Sequence, residues 1–168
     1  MAQYEMTPVQ GLVDFTGSTP LYLGDDNTRN FQLGFPFTFD ENIYSSVWVS
    51  SNGFLSFSTN DNLCCAGSPI ANTRTPIGIF GAWTDLISGP NPYVKSTQDM
   101  FLVTWDHTFE YGTNLQLTFQ IQLNADDSFS IRYGAIPDLY YHIATAGYKG
   151  AVSSEQLVYG SNLSVLSN

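Results

Sequence analysis

Residues Leu115-Gln116-Leu117-Thr118-Phe119-Gln120-Ile121-Gln122-Leu123 alternate apolar and uncharged polar side chains without a break. A period of two sends successive side chains to opposite faces of an extended strand, whereas a helix would scatter the same apolar residues around its axis. The segment is therefore predicted to be a strand with one face in a core and the other in water or against a partner. Asn124-Ala125-Asp126-Asp127 supplies turn chemistry. Beyond it Phe129, Ile131 and Tyr133 alternate with Ser128, Ser130 and Arg132, which completes a hairpin.

The same period recurs along the chain. Phe31, Leu33, Phe35, Phe37 and Phe39 mark a strand that Pro36, lacking an N–H, places at a sheet edge or bends. Tyr44–Ser50 and Phe54–Phe57 flank Asn52-Gly53, a tight-turn signal. Ile77–Trp83, apolar with two glycines, reads as a buried strand closely approached by other groups, and Met100–Trp105 as another strand. Tyr140–Tyr148, Gln156–Tyr159 and Leu21–Leu23 are weaker candidates. No segment has the pattern of an amphipathic helix. Roughly eight to ten short strands point to an all-β fold, a single antiparallel β-sandwich over residues 1–168, with 1–19 as an N-terminal arm. The longest irregular stretch, 58–76, is expected to be functional or contact-forming. A second loop is expected over Leu86–Gln98.

Composition narrows the function classes. Five Lys+Arg stand against 15 Asp+Glu in 168 residues, a net charge of −10, and the cations are scattered. That argues against nucleic acid and against an anionic membrane surface. No apolar stretch approaches the length of a membrane helix. Met1–Met6 lacks the basic region and apolar run of a secretory signal. Adjacent Cys64 and Cys65 meet disulfide geometry only with strain, so two plain thiols are the favoured reading over a vicinal bridge.

The order of blocks resembles the nidogen-like (NIDO) extracellular domain over about residues 30–150. Phe35–Phe39 leads into Tyr44-Ser45-Ser46-Val47-Trp48-Val49-Ser50-Ser51-Asn52-Gly53-Phe54-Leu55-Ser56-Phe57, similar to that family's aromatic strand and Asn-Gly hairpin. Ile77–Leu86 is similar to its apolar "Phe-Trp-x-Asp-Leu" segment, with Gly81 and Ala82 inserted between Phe80 and Trp83. Phe101–Trp105, Leu117–Tyr133 and Ala144–Tyr148 follow in the family's order. The usual Asp-Gly turn is Asp127-Ser128 here, and the cysteine pair has no counterpart. The resemblance implies a β-rich interaction domain of extracellular or surface proteins, without catalytic residues.

The residues themselves offer little catalytic chemistry. No nucleophile elbow, phosphate loop or zinc helix is encoded. Asp106, His107 and Glu110 form the one acid–base-like group and read as a solvated strand end running into a turn. His142 reads as a strand residue, and Asp85 as a cap, a backbone acceptor or a partner contact, with the structural roles favoured. The acidic pairs Asp25-Asp26, Asp40-Glu41 and Asp126-Asp127, with Asn60-Asp61-Asn62, sit in turns. Calcium is conceivable there, but none has EF-hand spacing, so no cofactor and no metal ligand is assigned. Asn162-Leu163-Ser164 is a glycosylation sequon.

The interface candidates are Trp48, whose parity opposes Val47 and Val49, the pair Tyr140 and Tyr141, and the uncharged polar face Gln116, Gln120 and Gln122. The expected function is non-enzymatic: a structural or adhesive surface module with protein partners, through self-association or a larger assembly. A virion component such as a phage decoration, fibre or baseplate protein is the favoured form. A matrix or cell-adhesion module and a glycan-binding, lectin-like domain are the alternatives. The expected location is a virion or an extracellular surface.

Overall fold

A computed structural model describes residues 4–7, 9, 11–58, 64, 66–87 and 89–167. Strands β1 (Thr19–Pro20), β6 (Leu86–Ile87), β7 (Tyr93–Ser96), β8 (Met100–Glu110), β9 (Gln116–Asn124) and β10 (Phe129–Tyr133) form one antiparallel sheet. Its order is β1-β7-β8-β9-β10, and β6 pairs with the far end of β8. Strands β2 (Thr28–Phe39), β3 (Asn42–Ser50), β4 (Phe54–Ser56), β5 (Gly78–Trp83), β11 (Ala144–Lys149) and β12 (Ser154–Gly160) form the second sheet, in the order β12-β11-β5-β4-β3-β2. A 3-10 turn, Leu163–Ser167, follows.

Parity places the core. Phe37, Phe39, Val47, Val49, Leu55 and Ile79 from one sheet meet Phe101, Val103, Trp105, Phe119, Ile121 and Leu123 from the other, all fully buried. Trp105 stacks on Phe119 with centroids 4.9 Å apart, and its Nε1 donates to Ser50 O at 3.2 Å, tying the sheets together. The glycines of β5 permit close approach. An added Cβ at Gly81 would lie 2.6 Å from the Phe119 ring, and one at Gly78 would overlap the Leu55 carbonyl. Gly53, at φ 87°, closes the β3–β4 turn against the Ala82 carbonyl.

Most elements fall where the alternation put them, including the β9–β10 hairpin, with Phe129 opposite Leu123, and β2 at a sheet edge with its register shifted around Pro36. The differences are local. Twelve strands are present among the described residues, because β1, β6 and β7 are short pieces of two to four residues lying in or beside segments rich in Pro, Gly and polar residues. The expected loop over Leu86–Gln98 thus contains two strands, and Leu21–Leu23 is not one. β8 runs on past Trp105 through a bulge at His107, φ 50°. Residues 140–143 are a connection, with β11 starting only at Ala144.

Two segments that look like loops cover the outer faces. Within the expected irregular stretch 58–76, residues 66–76 fold over β5 and β11: Gly67 N donates to Ile143 O, Thr145 Oγ1 donates to Ser68 O, and Lys149 Nζ donates to Asn72 O and Thr75 O. Ile70 thereby closes a second small core with Phe54, Phe80 and Trp83. The N-terminal arm crosses the other sheet. Val13 N donates to Gln120 Oε1, and Gln120 Nε2 donates to Val13 O, each at 2.9 Å. Cys64 is disulfide-bonded, which overturns the expectation of two plain thiols, while Cys65 lies outside the described residues.

Candidate functional site

The His107 bulge lets β8 reach Glu110, whose side chain is fully buried. Its carboxylate accepts the backbone N–H groups of Tyr140 (2.9 Å), Tyr141 (2.8 Å) and His142 (2.9 Å). His142 Nδ1 is 2.9 Å from the same carboxylate. Burial works to raise the Glu110 pKa, but the N–H groups of Tyr141 and Tyr140, with His142, outweigh it and hold the carboxyl below its usual value. An ionised carboxylate only accepts, so His142 Nδ1 carries the proton. The expectation of a solvated strand end is therefore corrected at Glu110: it is a clamp on the 140–142 connection. Asp106 and His107, 2.6 Å apart, do lie toward solvent.

The clamp fixes the backbone and leaves two rings outside. Tyr140 and Tyr141 are 66% and 80% exposed, and their rings meet edge-on at 6.5 Å. Gln116 is exposed and pairs with Phe109, so it shares this end of the sandwich.

Beside the clamp lies an acidic cluster. Asp25 and Asp26 precede β2, and Asp85 follows β5. One carboxylate oxygen from each lies within 4.8 Å of the others. The turn after β3 organises them: buried Asn52 donates from Nδ2 to Asp26 Oδ1 at 2.7 Å and accepts Leu86 N at its Oδ1 at 3.0 Å. Asp85 is not the cap expected of it. Its backbone carbonyl accepts Tyr111 N, but its buried Oδ1 has no hydrogen-bond partner. Burial foremost, then the charges of Asp26 and Asp25, pushes its pKa up to about 6, opposed by His142, whose Nε2 is 3.8 Å away. His142 is thus no strand residue; it bridges the clamp and the acidic cluster.

The other expected site residues are dispersed. Trp48 is half-buried on the outer face of the second sheet, as its parity required. Gln120 is corrected: it is fully buried beneath the arm and also donates to Thr104 Oγ1, so it presents nothing to a partner. Gln122 is partly buried and donates to Asn124 Oδ1. Asp40 and the Asp126-Asp127 pair are committed to structure. Asp40 accepts Val152 N, Ser153 N and Ser153 Oγ at 2.6–2.9 Å. Asp126 caps the turn at Ser128, and Asp127 accepts Thr38 N at 2.7 Å. The Asn60-Asp61-Asn62 tract lies outside the described residues.

Asp25, Asp26 and Asp85 come together although no sequence spacing links them. The signal available was topological. In an antiparallel β2-β3-β4-β5 meander, the start of β2, the β3–β4 turn and the end of β5 must share one end.

Comparison with curated proteins and with solved structures finds no match. The family model described as "NIDO related" matches residues 3–168. The match suggests an extracellular-type structural or adhesive module from a family of non-catalytic domains. The match spans both sheets, the arm and the clamped connection, so the chain belongs to the NIDO-related family.

Proposed function

We propose that this chain is a non-enzymatic adhesive or structural module that meets a protein partner through the Tyr140–Tyr141 end. The observation that carries the reading is the pairing of two exposed aromatic side chains with a backbone immobilised by Glu110. Aromatic residues supply much of the energy of protein interfaces, and ordering them in advance lowers the entropic cost of association. Gln116, uncharged and at the same end, adds polar contact with little desolvation cost.

The narrower form we favour is a virion component. Low charge density on the strand faces supports it, since symmetric assemblies pack neutral polar surfaces readily. Sedimentation of the intact chain across a concentration series tests self-association. A Tyr140→Ala/Tyr141→Ala variant is expected to weaken it at least tenfold with an unchanged thermal midpoint, because both rings lie outside the core. Wild-type chain that stays monomeric and is absent from purified particles by mass spectrometry would overturn the virion form. A glycan-array signal lost on Trp48→Ala, with both tyrosines dispensable, would replace the protein partner with a sugar.

A further inference from the structure

We propose that Asp25, Asp26 and Asp85 form a binding site for a hard divalent cation, with calcium the ion that their oxygens suit. Three carboxylates from two separate loops converge, with one oxygen of each within 4.8 Å of the other two. Oxygens on opposite sides of a calcium ion stand about 4.6–5.2 Å apart, twice the usual metal–oxygen distance, so one ion can bridge all three.

Convergence of acids alone would be a weak argument, and Asp85 adds an independent one. Its side chain is only 10% exposed, yet Oδ1 receives no hydrogen bond. A buried carboxylate oxygen without a donor is costly, and a cation relieves the cost. The nearest basic group is no substitute: His142 Nε2 is 3.8 Å from the other oxygen, and its Nδ1 is already engaged by Glu110.

The site is also held in shape. Asn52 anchors Asp26 through Nδ2 and fixes the chain at Leu86 through Oδ1, so it holds both loops from one buried side chain. Asp25 is exposed, which leaves a solvent-facing side where water completes the coordination. Calcium accepts six to eight oxygens in irregular geometry, whereas magnesium demands a near-ideal octahedron at shorter distances. Carboxylates gathered from two loops, with one of them exposed to water, suit calcium's larger and less regular shell.

The inference goes beyond the adhesive reading and does not rest on it, since ion binding is measured without any partner. The intact chain, stripped with chelator, is titrated with calcium chloride at constant ionic strength and followed by calorimetry and thermal unfolding. Saturable binding of one ion is expected, with a dissociation constant on the order of 10⁻⁴–10⁻³ M and a rise in thermal midpoint, and with magnesium at least tenfold weaker. Asp25→Asn and Asp85→Asn should each weaken calcium at least tenfold, while Asp126→Asn, in an exposed turn, leaves it unchanged. If Asp85→Asn does not fold, the exposed Asp25→Asn decides alone. Absence of saturable binding in the wild type, or wild-type affinity in Asp25→Asn, overturns the site.

Discussion

Glu110 shows how much one residue can settle that its neighbours in sequence conceal. Read locally, it ends a strand and enters a turn. In the fold it gathers three backbone N–H groups from residues 140–142, a relation no local pattern encodes. Glu110→Gln would place an amide N–H₂ among those donors and is expected to cost about 2–3 kcal/mol at pH 7. The pH dependence follows from the direction of its shift. Its folded pKa lies below the ordinary value of 4.5, so its stabilising contribution is complete above that pH and is lost as pH falls through the folded value. The gap in urea midpoint between wild type and Glu110→Gln should therefore narrow as pH falls below 4.5. A gap that stays constant to pH 3 would show that the carboxylate charge is not what holds the connection. Trp48 is the opposite case: alternation with Val47 and Val49 set its face, and the structure agrees.

At the scale of elements, legibility tracked the length of the alternation. β2, β3, β9 and β10 carry several periods each, and their faces were readable. β1 and β6 have two residues each and β7 four, too few for a pattern, and tertiary pairing alone makes them strands. Covering segments were illegible for a different reason. The polar face of β9 looked like a partner surface, but the partner of Gln120 is the chain's own Val13. Likewise Phe54, Phe80 and Trp83 turn away from the main core, and Ile70 in the 66–76 segment buries them. Ile70→Ala is expected to cost about 2–4 kcal/mol through the lost side chain and the void it leaves. Hydrogen exchange should speed up in 66–76 and at Ala144–Ala146 while β8 and β9 remain protected. Uniform loss of protection across both sheets would mean that the small core is not a separable layer.

The whole molecule carries a net charge of −10 with only five Lys and Arg to offset its acids. Those cations are spent largely on main-chain carbonyls: Arg29 donates to Leu21, Lys95 to Thr16, Arg132 to Gly11 and Lys149 to Asn72 and Thr75. They fasten loops and arm to the sheets and leave the carboxylates to repel one another across the surface. Such repulsion destabilises a compact state and is screened by salt, with a Debye length of about 30 Å at 0.01 M and 8 Å at 0.15 M. Raising sodium chloride from 0.01 to 0.15 M is therefore expected to stabilise the fold by on the order of 1 kcal/mol, about 2–4 °C in thermal midpoint. Screening acts on the summed charge, so the effect should survive Asp25→Asn nearly intact and rise smoothly without a saturation point. A calcium effect at the Asp25–Asp26–Asp85 cluster behaves differently, saturating in the millimolar range at constant ionic strength and vanishing in that variant. A midpoint that is flat or falls with sodium chloride would mean that the acidic surface is already neutralised locally, and that bridges through His and main-chain donors suffice to hold it.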